Sequence, residues 1–152
     1  MAHISIIGTG TMGQAIAAVA GRGGHAVDLL GQSDSTAPLG DVVVLAVPYA
    51  AVADIIATRG AQLAGKVVVD ITNPVDFATF DSLTVAADGS AAAEIAAALP
   101  DSRVLKAFNT TFAGTLAAGT VGSLTTTVLI AGDDADAKSL LAGIVTSGGL
   151  KA

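Results

Sequence analysis

The chain lacks cysteine and tryptophan, and only 3% of its 152 residues are aromatic. Without cysteine there can be no disulfide, no thiolate metal site and no cysteine nucleophile. Because aromatic residues are so few, the core has to be packed from Ala, Val, Ile and Leu. Charged residues make up 13% of the chain, so few side chains are left for acid–base catalysis. This composition favours chemistry that is carried by a bound group.

Positive charge is scarce as well. Seven Lys and Arg residues stand against 13 Asp and Glu, which gives a formal net charge of −6 and a pI of about 4.4. Nonspecific binding to nucleic acid or to an anionic membrane needs a basic surface, so we expect neither partner. The sequence shows no signal peptide and no apolar stretch of membrane-spanning length, and we therefore expect a cytoplasmic protein. No metal site is predicted.

Strand and helix patterns alternate along the chain. We predict strands near 3–7, 26–30, 42–47, 66–70, 103–107 and 126–131, and helices near 12–21, 49–58, 90–99 and 134–147. The runs 42–47 and 67–69 are apolar on both faces, as in interior strands of a parallel sheet with helices on each side. The segment 31–41 is too short and polar for a full crossover helix. The sequence thus predicts one α/β domain over 1–152, with a doubly wound, mostly parallel, Rossmann-like sheet in three layers.

A glycine-rich turn follows the first predicted strand. Gly8, Gly10 and Gly13 stand in the spacing G-x-G-x-x-G. Gly8 permits a tight turn out of the strand, Gly10 lets the backbone approach a diphosphate, and Gly13 lets the next helix lie close to the sheet. The helix that begins near Thr11 and Met12 directs its free N–H groups at the phosphate oxygens. This order of strand, turn and helix predicts a site for a nicotinamide dinucleotide.

Three further segments resemble the NADPH-dependent coenzyme F420 reductase family. They are residues 45–49 (Leu-Ala-Val-Pro-Tyr), 69–74 (Val-Asp-Ile-Thr-Asn-Pro) and 104–110 (Val-Leu-Lys-Ala-Phe-Asn-Thr). The resemblance covers nearly the whole chain and implies a Rossmann domain that binds NADP and passes hydride between its nicotinamide and the deazaflavin ring of F420. Some relatives use a flavin instead. Family members usually continue beyond this chain's last residue, so we expect part of the C-terminal portion to be missing; a homodimer is compatible with the resemblance.

The resemblance also implies which residues bind NADP, and they fall at the carboxyl ends of the predicted strands. The set implied by the resemblance comprises Thr9, Gly10, Thr11 and Met12 at the diphosphate, Gly31, Gln32 and Ser33 at the adenosine ribose, Val47 and Pro48 beside the ribose–nicotinamide end, and Ala107, Phe108 and Asn109 beside the nicotinamide. The glycine motif adds Gly8 and Gly13, and the position after the fourth strand adds Asn73. Asn109 is the candidate catalytic residue, because its amide could orient a reacting ring. The alternative is that this amide closes a local turn.

The choice between NADP and NAD depends on the tip of the second strand. NAD-selective sites commonly place a carboxylate there, and this chain has none at Gly31, Gln32 or Ser33, which favours NADP. The arginine that the family usually carries near Ser33 is also absent. Near the same edge of the sheet, we interpret Lys106 chiefly as a side chain that reaches solvent and Asp70 as the cap of a loop.

We therefore predict an NADP-dependent oxidoreductase with F420 or a flavin as the second redox cofactor. Two other functions stay open. A noncatalytic dinucleotide-binding module would need the same glycine turn without the chemistry. Reductases of imines or 3-hydroxy acids also begin with such a turn, but they carry a large helical second domain for which this chain has no room.

Overall fold

The computed structural model describes residues 1–152, in which strands and helices alternate as predicted. In chain order the elements are β1 (His3–Ile7), α1 (Thr11–Arg22), β2 (Ala26–Leu30), a 3-10 turn (Gln32–Asp34), β3 (Val42–Leu45), α2 (Tyr49–Leu63), β4 (Val67–Asp70), α3 (Ala91–Ala98), β5 (Arg103–Ala107), α4 (Ala113–Ala118), β6 (Thr120–Val121), β7 (Leu124–Thr125), β8 (Ile130–Ala131) and α5 (Ala135–Ser147). None of the helices has the length and apolar character needed to span a bilayer.

Six strands form one sheet in the order β2-β1-β3-β4-β5-β8. The first five are parallel, and β8 runs antiparallel to β5. The order reverses at β1, because the chain leaves β1 for β2 on one side and returns to β3 on the other. Such a reversal opens a crevice at the carboxyl ends of the two strands, where doubly wound sheets bind their ligands. The prediction of a mostly parallel, Rossmann-like α/β sheet is confirmed.

Helices cover both faces of the sheet. A cluster of 21 buried residues joins one face to α1, α4 and α5, and a cluster of eight joins the other face to α2 and α3. Successive residues of β3 alternate between them, with Val42 and Val44 in the first cluster and Val43 and Leu45 in the second. The strand is therefore buried on both sides, which explains its unbroken apolar sequence.

The strand predicted over 126–131 is much shorter than expected. Only Ile130 and Ala131 belong to β8. The residues before them bond to the end of the chain, where Lys151 N donates to Thr126 O over 3.0 Å and Val128 N donates to Lys151 O over 2.8 Å. Lys151 thus forms a single parallel bridge with Thr127.

Sequence analysis missed α4 and the β6–β7 hairpin. With six residues, α4 is too short for a helical period to be recognised. The fully buried side chain of Leu116 anchors it to the core. It ends at Gly119, whose φ of 75° is the left-handed conformation common at helix C-termini. Tertiary packing, rather than local pattern, accounts for this helix.

Candidate cofactor site

Two of the three motif glycines are required by the packing of the protein itself. Gly8 has a φ of +123°, and a Cβ there would lie 2.0 Å from the carbonyl oxygen of Ala46. A Cβ on Gly13 would lie 2.0 Å from the carbonyl oxygen of Gly8. Side chains at these positions would push the turn away from the segment after β3 and push α1 away from the turn. The roles predicted for Gly8 and Gly13 agree with this geometry.

Gly10 differs from its neighbours because nothing in the protein requires a glycine there. Its φ of −73° suits any residue, and a Cβ would meet no atom within 4 Å. It is the N-cap of α1, no side chain caps this helix, and no acidic residue lies in its first turn. The N–H groups of that turn are therefore free to bind an anion. Gln14 Nε2 braces the turn by donating to Thr9 O over 2.9 Å.

A cleft of about 610 Å³ opens beside this turn. Its walls come from the carboxyl ends of β1, β2 and β3 and from one side of α2, so it occupies the crevice where the strand order reverses. Of the residues predicted to bind the cofactor, it is lined by Gly8, Thr9, Gly10, Gly31, Gln32, Val47 and Pro48. The other predicted residues, which are Thr11, Met12, Gly13, Ser33, Asn73, Ala107, Phe108 and Asn109, are not among its lining residues.

The loop after β2 forms one wall of the cleft. Gly31 N donates to Asp34 Oδ2 over 2.8 Å, and this bond holds the 3-10 turn in place. Ser33 does not line the cleft, whereas Ser35 does. The Asp34 carboxylate thus lies four residues beyond Leu30, the end of β2, and is bonded to the backbone of its own loop.

Arg59 of α2 also lines the cleft, and its guanidinium bonds to the loop after β2. The sequence patterns above did not indicate it. It is buried, although its position on α2 lies beyond the helix predicted over 49–58. The helix continues through Gly60, a residue that ordinarily lowers helical stability by about 1 kcal/mol relative to alanine. A longer helix prediction would have placed Arg59 about three turns after Pro48, on the cleft side of α2.

A second polar group lies at the ends of β4 and β5. Asn73 Nδ2 donates to Asn109 O over 3.1 Å, and Asn109 Nδ2 lies 3.4 Å from Asn73 Oδ1. The side-chain amide of Asn73 thus bonds both the backbone carbonyl and the side-chain amide of Asn109, and it links the loops after β4 and β5. Asn109 is not bonded to its own loop backbone, as the turn-closing alternative would require.

The family resemblance implies that Phe108 lies beside the nicotinamide, but the structure buries its side chain in the core. Its ring is 2% exposed and belongs to the core cluster under α1, α4 and α5. Ala107 is fully buried as well. Phe108 also has a φ of 63°, which is uncommon for a residue with a Cβ. Because both side chains are buried, Ala107 and Phe108 can contact a ligand only through their backbone. The buried ring of Phe108 anchors the chain immediately before Asn109.

Lys106 and Asp70 form an ion pair beneath the asparagines. Lys106 Nζ lies 2.8 Å from Asp70 Oδ2 and also donates to Thr72 O. The other oxygen of the fully buried Asp70 accepts a bond from Thr72 N over 2.8 Å. Asp70 therefore caps the loop after β4, as predicted. Lys106 is held by that carboxylate, which corrects our interpretation of it as a side chain that reaches solvent.

Tyr49, the first residue of α2, donates its hydroxyl to Glu94 Oε2 of α3. This hydrogen bond raises the pKa of the phenol above its ordinary value of 10.0, with smaller contributions from desolvation and from the charges of Glu94 and Asp70. The neutral phenol is the form that can donate this bond, and ionisation would set two negative groups against each other. The contact links the two helices on one face of the sheet.

Comparison with known proteins yields a family and several solved structures. A profile of the family described as NADP oxidoreductase, coenzyme F420-dependent, matches residues 26–74. A structure from Arthrobacter sp. FB24, provisionally named an F420-dependent NADP reductase, has a TM-score of 0.84 and 26% identity, covering 99% of this chain and 82% of that one. A hypothetical protein from Sinorhizobium meliloti has a TM-score of 0.81 and 28% identity, covering 99% and 83%. No curated protein sequence matches the chain.

A more distant likeness extends to the pyrroline carboxylate reductase of Plasmodium falciparum, solved with NADP bound. Its TM-score is 0.64 at 13% identity, over 99% of this chain and 56% of that one, and at this identity the likeness concerns the fold alone. The sheet order, the crevice and the glycine turn define a Rossmann-type fold with a candidate dinucleotide site. The family match and the Arthrobacter structure add that the chain is of the NAD(P)-binding oxidoreductase class. Within that class, the resemblance to the coenzyme F420-dependent NADP oxidoreductase family is confirmed.

Substitutions at Gly8 and Gly10 should differ sharply in their effect on the free energy of unfolding. Gly8→Ala should lower the free energy of unfolding by about 2–5 kcal/mol, because it combines a strained φ with a backbone clash. Gly10→Ala should change it by about 1 kcal/mol or less, because the added methyl group meets open space. Urea denaturation of the two variants measures the difference. Equal losses would contradict the conclusion that packing requires a glycine at position 8 but not at position 10.

Tyr49 offers a spectroscopic test of the bond to Glu94. The chain has one tyrosine and no tryptophan, so tyrosinate absorbance reports on Tyr49 alone. Its titration midpoint should lie above 10.0, and Glu94→Gln should bring it back towards that value, since the hydrogen bond to a carboxylate and the adjacent negative charge are both lost. Identical midpoints in parent and variant would show that the bond does not persist in solution.

Proposed function

We propose that the chain binds NADP(H) in the cleft and exchanges hydride with a deazaflavin of the F420 type. The observation that carries the proposal is the open space at Gly10, in front of a helix N-terminus that no side chain caps. Glycine is not needed there for the fold, yet a larger residue would fill the space into which a diphosphate would fit. The family match and the provisional name of the Arthrobacter protein support the choice of cofactors.

The residues present fit such a dinucleotide in three ways. The first turn of α1 offers unpaired N–H groups to the diphosphate, the neighbouring cleft has room for the adenosine, and the loop from Gly31 to Ser35 forms one of its walls. When bound, the nicotinamide supplies or accepts the hydride. The chain itself binds and orients the cofactor. We assign the orienting role to Asn109, which directly follows the buried residue Phe108. No protein acid or base is needed for hydride transfer between two rings, which agrees with the low charge content.

A noncatalytic dinucleotide-binding module is the second candidate. It is favoured by the position of Asn73 and Asn109, which bond each other and do not line the cleft. Stopped-flow absorbance with NADPH and either F420 or FMN separates the two functions. Oxidation of NADPH with F420 supports the proposal, oxidation with FMN alone reassigns the second cofactor to a flavin, and saturable NADPH binding without oxidation supports the module.

Gly10→Val should remove NADPH binding while the protein stays folded. Two added methyl groups would occupy the space of the diphosphate, and losing two charge-assisted bonds of about 1.5–3 kcal/mol each weakens binding by about 100-fold or more. Calorimetric titration measures the affinity. Gly143→Val is the matched control, because Gly143 also has nothing within 4 Å but lies on α5, outside the cleft. Near-parental affinity in a folded Gly10→Val protein would overturn the site.

Asn109→Ala should slow hydride transfer by roughly 10- to 100-fold while NADPH affinity changes little. The reason is that ring orientation governs the rate, whereas the diphosphate and ribose supply most of the affinity. Single-turnover kinetics at saturating NADPH give the rate constant, and urea denaturation shows whether stability is retained. An unchanged rate constant would mean that Asn109 only closes the loop against Asn73.

A further inference from the structure

Arg59 is a buried cation in the wall of the cleft. Arg59 is 5% exposed, and four hydrogen bonds hold its guanidinium. Nη1 donates to Asp34 O over 3.3 Å, Nη2 donates to Ala37 O and to Gln62 Oε1, the latter over 2.9 Å, and Nε donates to Gln62 Oε1 over 3.3 Å. The side chain thus ties α2 to the loop after β2.

All of these acceptors are neutral. They are two backbone carbonyls and one amide oxygen, and the ion pairs of the structure are His3–Asp28 and Lys106–Asp70, neither of which involves Arg59. A buried charge without an opposite charge carries a desolvation penalty of several kcal/mol. A guanidinium has five N–H groups, so one N–H on Nη1 has no partner among these bonds. A charge in this state is suited to an anion that enters from the cleft.

The position of Arg59 identifies the part of a dinucleotide that it would meet. It lines the same cleft as Gly31, Gln32 and Ser35, on the side to which the adenosine ribose is assigned. The loop after β2 carries no cation of its own. We infer that Arg59, from α2, is the residue that recognises the 2′-phosphate of NADP(H) and so sets the preference over NAD(H). This inference rests on the proposed function.

Two carboxylates act against that preference. Asp54 lines the cleft, and Asp34 lies in the loop with Oδ2 bonded to Gly31 N. Both repel an added phosphate, so the selectivity is set by the difference between their repulsion and the attraction of Arg59. The attraction is the stronger at short range because guanidinium and phosphate can form charge-assisted hydrogen bonds.

The test compares 2′,5′-ADP with 5′-AMP, which differ only in the phosphate concerned. The parent should bind 2′,5′-ADP more tightly. Arg59→Gln should weaken 2′,5′-ADP binding by about 10- to 100-fold and change 5′-AMP binding much less, because only the former loses a charge-assisted bond. Arg59→Lys should fall between parent and Gln, because it keeps the charge without the planar fork. Calorimetry of both ligands gives the selectivity ratio.

Arg22→Gln is the matched control. Arg22 also bonds backbone carbonyls, those of Gly148 and Leu116, but it lies outside the cleft, so its loss should leave the ratio unchanged. If Arg59→Gln weakens both ligands equally, or neither, Arg59 only braces the loop and the inference is wrong. If Arg59→Gln does not fold, the salt dependence of ligand binding to the parent protein tests the inference instead. Added salt should weaken 2′,5′-ADP more than 5′-AMP, and an equal salt effect on the two overturns the inference.

Titrations of the parent with NADPH and with NADH separate this inference from the proposed function. A parent that binds NADH at least as tightly as NADPH contradicts the role of Arg59 but leaves the dinucleotide site intact. A parent that binds neither dinucleotide contradicts the proposed function, and the inference about Arg59 fails with it.

Discussion

The close approach of three backbone segments is the constraint on which the rest of the site depends. The turn at Gly8 passes so near the carbonyl of Ala46, and α1 so near the carbonyl of Gly8, that a Cβ at either contact would lie 2.0 Å from an oxygen. This contact sets the direction in which α1 leaves β1. It thereby places the uncapped end of the helix beside the crevice where the strand order reverses. Gly10, which is free of packing, is left facing the space that the contact creates.

Much of this arrangement could be predicted from the sequence because it is encoded locally. The interior strands are unbroken apolar runs in the sequence. The helix after Gly10 begins at Thr11, where the glycine motif places it. The abbreviated crossover after β2 could also be recognised from a short segment. In each case the signal lies within about one turn or strand of the feature it predicts, so no knowledge of the tertiary structure is needed.

The features that could not be predicted depend on contacts between distant segments. The 126–128 segment pairs with Lys151 instead of extending β8, and α4 exists because Leu116 finds a buried position. Arg59 has the same origin, since its burial and its bonds to the carbonyls of Asp34 and Ala37 arise only when α2 lies beside the loop after β2. The engagement of Lys106 by Asp70 likewise requires two neighbouring strands to end together. Composition and periodicity carry no information about such pairings.

A crystal structure of the chain grown with NADP tests the central claim most directly. The account predicts that the diphosphate lies within hydrogen-bond distance of the N–H groups in the first turn of α1. It also predicts that the adenosine occupies the cleft between the loop after β2 and α2. A diphosphate bound elsewhere, or an empty cleft at saturating NADP, would contradict the assignment of this crevice as the dinucleotide site.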